Sequence, residues 1–381
     1  MPAALLVHSG GPTPVINASL LGVVEQARQY SQITALLGAR FGLEGILNQD
    51  FIDLFGVAQN KLEQIAHTPS STLGSSRRDA SQDDIENIFE ILRAHDIRYM
   101  FYNGGNGSMG TANLLATVAR KASFDIQVVG IPKTIDNDIA VTDHTPGFAS
   151  TARLFACAVR DIGADNRALP GQVEFVEVLG RNAGWIVAAT TLARHSPGDP
   201  PHLVYFPEER LPLDQLLADI DGVFTRYGRC VVAVCEGQLD SHGQPFGADV
   251  RHGSRGSLAM NLGHRLAMLT AQHLGLKTRS EKPGLLGRSS SLVVENDWNE
   301  ARLCGQAAVD AAIDGQGGNM ITLVRDPRGE YQVATGLVDL QRVAGMERLI
   351  PADWRKPNGI SADFRAYLQP LIGPIEPIVS L

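Results

Sequence analysis

The strongest chemical signal in the sequence is Pro-Lys-Thr-Ile-Asp-Asn-Asp at 132–138. It places a cation (Lys133), a hydroxyl (Thr134) and two carboxylates (Asp136 and Asp138) directly after a short apolar run. One carboxylate can accept a proton from an attacking hydroxyl and the other can help to hold Mg²⁺, while the lysine can neutralise a transferring phosphoryl group. The alternative interpretation is a surface turn, since Asp and Asn are common in turns.

Two glycine-rich turns, at 9–11 and 103–110, favour the chemical interpretation. Glycines let backbone N–H groups approach a phosphate, and a helix that starts there adds a favourable dipole. Three glycines of the second turn also satisfy the dinucleotide pattern G-x-G-x-x-G. However, the next apolar run (126–131) is followed by Lys133 and not by the acidic residue that binds a ribose. A second phosphate loop is therefore favoured over a dinucleotide-binding oxidoreductase.

Four arginines recur beside Gly, Ser or Thr in predicted loops: Arg77, Arg181, Arg279 and Arg288. The planar guanidinium fork suits phosphate oxygens. A lone loop arginine is usually only solvated, so it is their recurrence that supports phosphate binding.

The elements that position these residues alternate between strand and helix. Such alternation predicts an α/β fold with largely parallel sheets, in which ligands bind at the carboxyl ends of the strands. We expect a phosphoryl-donor domain at 1–140, a second domain at 141–330 and a C-terminal extension at 331–381. The predicted strands are 3–7, 97–102, 126–131, 173–178, 202–206 and 230–235, and helices are predicted over about 14–28, over 109–120 and up to 193.

Composition limits the function further. The 381 residues include 33 basic and 41 acidic side chains, a net charge of −8. This balance argues against nucleic-acid binding, so anionic ligands must be held by local groups. The four cysteines form no C-x-x-C pair, and Cys230 and Cys235 are expected to be buried, reduced thiols. With neither a signal peptide nor a membrane span in the sequence, we expect a cytoplasmic protein.

With these residues in view, the chain resembles the phosphofructokinase superfamily, and within it the pyrophosphate-dependent group. The resemblance covers nearly the whole chain and implies two doubly wound, largely parallel-sheet α/β domains with a C-terminal extension. The motifs that carry it are Ser-Gly-Gly at 9–11, Gly-Ser-Ser-Arg at 74–77, Gly-Gly-Asn-Gly-Ser at 104–108, the 132–138 segment, Glu-Val-Leu-Gly-Arg at 177–181 and Cys-Glu-Gly at 235–237.

The resemblance implies the reversible transfer of a phosphoryl group to the 1-hydroxyl of fructose 6-phosphate, a step of glycolysis and gluconeogenesis. Asp136 would be the base, with Lys133 and Arg77 also catalytic, and Mg²⁺ would lie at Asn106 and Asp138. A homodimer or homotetramer is implied. The implied donor-binding residues are Gly10, Gly11, Gly105, Asn106, Gly107 and Ser108, and the implied sugar-phosphate residues are Thr134, Asp138, Leu179, Gly180, Arg181, Glu236, Arg279 and Arg288.

The identity of the donor depends on two positions that disagree. Pyrophosphate-dependent members typically have lysine at position 133 and aspartate at 107, whereas ATP-dependent members typically have glycine at both. Lys133 favours pyrophosphate, and Gly107 leaves ATP as the alternative. Leu285 and Gln172 stand where basic or aromatic residues are usual, so fewer side chains remain to bind the 6-phosphate of the sugar. A related acceptor, or a non-catalytic metabolite-sensing subunit, is therefore also considered.

Overall fold

The computed structural model of the chain describes residues 2–78, 80–246, 250–253, 256–328 and 331–379. Its strands are β1 (Ala3–His8), β2 (Ala35–Ala39), β3 (Phe51–Asp53), β4 (Ile97–Gly104), β5 (Gln127–Pro132), β6 (Gln172–Val178), β7 (Leu203–Tyr205), β8 (Arg210–Leu211), β9 (Cys230–Cys235), β10 (Leu239–Asp240), β11 (Val250–Gly253), β12 (Gly256–Ala259), β13 (Lys277–Glu281), β14 (Asn319–Arg325), β15 (Val333–Asp339), β16 (Arg355–Lys356) and β17 (Gly359–Ile360).

Helices connect most of these strands. They are α1 (Ile16–Ala27), α2 (Leu43–Leu47), α3 (Gln59–Ala66), α4 (Gln82–Ala94), α5 (Asn106–Lys121), α6 (Phe148–Ala168), α7 (Trp185–Ala189), α8 (Leu213–Tyr227), α9 (Leu262–Leu274), α10 (Leu286–Ser289), α11 (Glu295–Ile313) and α12 (Ala362–Ile372). Three short 3₁₀ segments cover Thr190–Ala193, Leu340–Arg342 and Ala352–Trp354.

The first compact unit comprises Met1–Phe148 and Arg288–Arg348. Its sheet has the order β15-β14-β5-β4-β1-β2-β3, and only the outermost pair at each end is antiparallel. Every residue of β1 is buried, as expected for a strand covered on both faces. Helices α1, α3 and α11 pack on one face and α2, α4 and α5 on the other.

The second unit comprises Ala149–Gly287 and Leu349–Leu381, and it contains the parallel sheet β13-β6-β9-β7. The C-terminal segment covers Trp185 with a cluster of aromatic rings. Trp354 lies edge-on to Trp185, with ring centroids 6.2 Å apart, and Phe364 and Tyr367 pack at 6.0 and 5.9 Å. Rings in such offset and edge-to-face arrangements attract one another beyond simple burial of area, which fixes α12 on this unit.

The predicted α/β class with largely parallel sheets is confirmed, and each predicted strand lies within two residues of an observed one. The boundaries of the compact units differ from the predicted domains, because 288–348 returns to the first unit. Strand β14 pairs with β5 through Met320 and Gly130, and α11 packs closely along α1. A methyl group built at Gly305 would lie 2.2 Å from the backbone oxygen of Ser19, so the two helices meet where there is no side chain.

All four cysteines lie in the described part of the chain as free thiols, and Cys230 and Cys235 are buried, as predicted. Three of them are buried and Cys157 is partly buried. Among the helices of the described residues, none is long and apolar enough to cross a membrane.

Candidate active site

Strands β1, β4 and β5 are neighbours in the first unit, so the segments at their carboxyl ends are brought together. The Ser9 N–H donates to the Asn103 carbonyl at 2.9 Å, and the Lys133 N–H donates to the Gly104 carbonyl at 3.0 Å. The Gly10 N–H donates to the Ser76 carbonyl at 2.9 Å, which brings the 74–77 segment to the same edge. One cluster therefore contains the segments 9–11, 74–77 and 103–110 and the start of 132–138, as expected at the carboxyl ends of neighbouring parallel strands.

Lys133 is a positively charged side chain that links the segments at this edge. Its side chain is 1% exposed, yet its Nζ donates to the Ser9 carbonyl at 2.7 Å and to the Gly11 carbonyl at 2.6 Å. A buried ammonium group is tolerable when it has such hydrogen-bond partners. Gly10 between them has φ +81°, and a methyl group built there would lie 3.5 Å from Nζ. The lysine thus shapes the glycine turn and puts its positive charge beneath it.

The second glycine turn opens α5. The first N–H groups of an α-helix have no partner within the helix, here those of Asn106 to Ser108, and the N-cap Gly105 has no side chain to bind them. The Ser108 hydroxyl donates to the Ser9 hydroxyl at 2.9 Å, which joins the two glycine turns. A helix start of this kind favours an anion such as phosphate. Gly107 is exposed on this first turn.

Two guanidinium groups lie over the first glycine turn. A methyl group built at Gly11 would lie 3.4 Å from Nη2 of Arg77 and 3.3 Å from Nε of Arg288. The family resemblance implies that Arg288, like Arg279, is a sugar-phosphate residue. In the structure Arg288 belongs to the first unit and lies beside the turn predicted to bind the donor, whereas Arg279 belongs to the second.

The aspartate loop follows β5 and is held by local contacts. Asn137 adopts the left-handed region at φ 54°, which asparagine tolerates better than most residues. Its buried Oδ1 accepts from the Thr145 N–H at 3.1 Å. The Asp136 N–H donates to the Thr134 hydroxyl at 3.2 Å, and the Asp138 carbonyl accepts from the Arg348 N–H at 2.8 Å. The turn thus holds Asp136 and Asp138 at fixed positions on either side of Asn137.

Asn106 and Asp138 have the oxygens that a hard cation needs. Nδ2 of Asn106 donates to Oδ2 of Asp138 at 2.8 Å. The remaining oxygens, Oδ1 of each, are buried and have no hydrogen-bond partner among the described residues. Burial, together with the nearby carboxylates of Asp136 and Glu347, raises the pKa of Asp138 to about 7. A divalent cation would relieve both the missing partners and the like-charge repulsion, so the residues fit Mg²⁺.

The described residues contain no cluster of three or more His, Cys, Asp or Glu side chains suited to a metal.

Sequence reasoning missed several residues of this edge. Glu347 and Arg348 reach it from the far end of the chain, with Glu347 bridged to Ile139. Asn103 begins the second glycine turn, and its amide is buried and lacks a hydrogen-bond partner within the described part of the chain. His8 at the end of β1 is likewise fully buried. A polar residue at the end of an otherwise apolar strand is the signal that could have identified His8 and Asn103.

His8 gives a testable pH dependence. Burial, and secondarily the Lys133 charge, lowers the pKa of His8 from 6.5 to about 3. Between those pH values the unfolded chain binds a proton that the folded chain does not, so acidification costs stability. In His8→Asn, we expect the free energy of unfolding to fall less steeply on acidification, by up to about 1.4 kcal/mol per pH unit. Urea unfolding across the range measures this, with exposed His242→Asn as control. Equal slopes for wild type and His8→Asn would contradict it.

In the second unit, the predicted residues lie at or after the carboxyl ends of β6 and β9. Gly180 has φ +115°, and its carbonyl accepts a hydrogen bond from the Cys235 thiol. A methyl group built at Gly237 would overlap the Arg181 carbonyl oxygen at 1.4 Å, so only glycine fits this crossing. Arg181 and Glu236 are both partly exposed beside it. These two charged side chains therefore lie on neighbouring strand-end turns, which cross at Gly237.

Two other predicted sugar-phosphate residues are placed differently. The Leu179 side chain is buried against Gly287, which leaves its main chain for ligand contact. Arg279 lies on the edge strand β13, in register with Glu174 in the middle of β6. Its side chain is 65% exposed, and its Nε lies 4.0 Å from the Glu174 carboxylate. It is therefore accessible, but it is not at the strand-end turn.

Together, the fold and the first unit's site define a doubly wound α/β protein in which two glycine turns and a carboxylate loop meet at one edge of a sheet. The sequence profile described as phosphofructokinase matches residues 3–312, so the chain belongs to the phosphofructokinase family. It is 39% identical to the pyrophosphate–fructose 6-phosphate 1-phosphotransferase of Rhodospirillum rubrum, over 97% of this chain and 94% of the relative.

Two further proteins extend the comparison. The enzyme of the same name from Xanthomonas campestris is 35% identical over 97% of this chain and 91% of its own length. The crystal structure of a pyrophosphate-dependent phosphofructokinase from Marinobacter aquaeolei superposes with a TM-score of 0.88 at 35% identity. That match covers 100% of this chain and 94% of the other.

Proposed function

We propose that this protein is a phosphotransferase that moves a phosphoryl group from pyrophosphate to the 1-hydroxyl of fructose 6-phosphate, giving fructose 1,6-bisphosphate. The observation that carries the proposal is the cation cluster around the first glycine turn, beside the loop that bears Asp136 and Asp138. Lys133 is buried beneath that turn, and Arg77 and Arg288 lie over it. Three positive charges and a helix start suit a small, highly charged donor that has no base or ribose to anchor it.

In this proposal, Asp136 accepts the proton of the attacking 1-hydroxyl as the new O–P bond forms. Asp136 is only partly buried, and its N–H donates to the Thr134 hydroxyl, which holds the main chain that bears the carboxylate. Lys133, Arg77 and the N–H groups at the start of α5 stabilise the negative charge of the transferring group and of the departing phosphate. The site's contribution is therefore positioning and charge stabilisation, as phosphoryl transfer requires.

Asn106 and Asp138 would hold Mg²⁺, the cofactor in this proposal. When bound, the ion supplies charge neutralisation and orientation of the phosphate oxygens. In the second unit, the proposed sugar-phosphate contacts are the Gly180 and Leu179 main chain, Arg181, Glu236 and Arg279. A homo-oligomer and a cytoplasmic location belong to the same proposal.

ATP is the second candidate donor, because Gly107 is exposed and has no side chain to crowd a larger donor. With Mg²⁺ and fructose 6-phosphate, we expect kcat/KM for pyrophosphate to exceed that for ATP. In Gly107→Asp, like-charge repulsion should lower any ATP-supported turnover by about tenfold or more, with pyrophosphate turnover retained. The measurement is fructose 1,6-bisphosphate formation with each donor in parallel. A kcat/KM that favours ATP would overturn the assignment, and loss of turnover on chelation of Mg²⁺ is also expected.

A further inference from the structure

A fully buried histidine, His144, lies at the centre of an ionic network in the first unit that the mechanism above does not use. Its Nδ1 hydrogen-bonds to Oδ1 of Asp143 at 2.8 Å, and its Nε2 to Oε2 of Glu300 at 2.6 Å. The Tyr331 hydroxyl donates to the other oxygen of Glu300 and lies 3.3 Å from Nε2 of His144. Arg325 pairs with Asp143 at 2.9 Å and lies over the Tyr331 ring. Carboxylate partners at both ring nitrogens require both to carry protons.

The network therefore favours the charged ring. Burial lowers the pKa of His144, but the hydrogen bonds to Asp143 and Glu300 outweigh it and raise the pKa to about 8. The charged groups that face this region are the two carboxylates, Arg325 and Arg348. Arg348 donates through Nη1 to the carbonyl of Asp143. The imidazolium is accordingly present at neutral pH and is lost as the pH rises through about 8.

The segment that contains His144, residues 142–145, supports the aspartate loop directly. The Thr145 hydroxyl donates to the Thr134 carbonyl at 2.8 Å, and the Thr145 N–H donates to Oδ1 of Asn137 at 3.1 Å. Arg348 spans the two segments, since its Nη1 donates to the Thr142 carbonyl at 2.6 Å and its N–H donates to the Asp138 carbonyl at 2.8 Å. The loop is thus hydrogen-bonded to a segment that is itself fixed by an ion pair to α11.

We propose that His144 is a positioning residue for phosphoryl transfer: its ion pair with Glu300 fixes residues 142–145, and this segment fixes the loop that bears Asp136 and Asp138. The inference rests on the proposed function through the roles of those two aspartates. His144 does not take part in the bond-making step, so its effect is on the geometry of the loop. Displacements of about 1 Å at a reacting group lower rates by up to about 100-fold.

His144→Gln removes the charge and one of the two ring donors. We expect kcat to fall by about 10- to 100-fold, with KM for pyrophosphate changing by less than about threefold. The KM is spared because the contacts of Lys133 to Ser9 and Gly11 do not pass through this segment. Steady-state kinetics with both substrates varied measures the split. An unchanged kcat, or a KM that rises as much as kcat falls, would refute the positioning role.

Glu300→Gln provides a second variant if His144→Gln fails to fold. It removes a carboxylate that raises the pKa of His144, so the loss of kcat on the alkaline side should begin at a lower pH than in wild type. The control is Glu25→Gln, which removes the 2.7 Å ion pair to Arg302 on the same helix, α11. It should leave the pH profile unchanged. Identical profiles for wild type and Glu300→Gln would overturn the proposal.

Amide hydrogen exchange separates this inference from the proposed function. In wild type the Thr145 N–H should exchange more slowly than in Glu300→Gln, because the ion pair between His144 and Glu300 keeps this N–H hydrogen-bonded to Oδ1 of Asn137. If wild type has no activity with pyrophosphate and fructose 6-phosphate, the proposed function is wrong and the exchange result still decides whether the ion pair fixes the loop. Equal exchange of Thr145 in the two proteins means that it does not.

Discussion

Replacing Asp136 with asparagine should lower kcat by about 10²- to 10⁴-fold, the contribution of a general base, and leave KM for pyrophosphate nearly unchanged. The side chains have the same shape, and the hydrogen bond from residue 136 to Thr134 uses the main chain, so the loop should be preserved. Asp136 also raises the pKa of Asp138, so its removal leaves Asp138 more readily ionised and the metal ligand intact. The lost rate would therefore reflect lost proton transfer. Steady-state kinetics at saturating Mg²⁺ provides the measurement.

The matched control is Asp125→Asn, because Asp125 is exposed just before β5, whereas Asp136 follows the same strand. It removes the same charge from the opposite end of one element and should keep wild-type kcat. Near-normal turnover in Asp136→Asn would show that another group accepts the proton, and the assignment of the base would then fail.

Lys133→Met should lower kcat/KM for pyrophosphate by about 10²- to 10³-fold, the range seen when one charge-stabilising donor is removed. The Ser9 and Gly11 carbonyls would lose a charged donor at 2.7 and 2.6 Å, so the first glycine turn would loosen as the donor loses its cation. Arginine is no substitute, since its wider planar group does not fit a side-chain site that is 1% exposed.

The control for this variant is Lys121→Met, at the exposed end of α5. A structural readout accompanies the kinetics. Since Lys133 adds to the burial that lowers the pKa of His8, that pKa should rise in Lys133→Met. Equal losses of kcat/KM with pyrophosphate and with ATP would show that Lys133 only shapes the turn and does not select the donor.

Whether the sequence could predict a residue of this site depends on whether the pattern that marks the residue is local in the chain. The strand–turn–helix patterns around 9–11 and 103–110, and the residues of the 132–138 segment, are local, and the parallel sheet brings them together by a general rule. Arg288, Glu347 and Arg348 reach the same edge only because 288–348 returns to the first unit. No local pattern encodes that return.

The same distinction applies to the side chains. The sequence predicts that Lys133 is a cation near phosphate, but its burial and its two bonds to the first glycine turn depend on β1 lying next to β4 and β4 next to β5. The start of α5 was predicted three residues late, because Gly105 provides none of the side-chain capping that marks a helix start in a sequence.

The return of the chain to the first unit has a consequence for biosynthesis. Strand β5 acquires its outer neighbour, β14, only after Ala149–Gly287 has been made. At about 5–20 residues per second, the ribosome takes about 10–40 s to pass from the end of β5 to the start of β14. During it, the nascent chain has an open, apolar sheet edge at β5 and an α1 without α11 against it. The first unit is therefore completed late in translation, after the second unit's sheet, and a chain that stops near residue 148 should be a target for chaperones and aggregation.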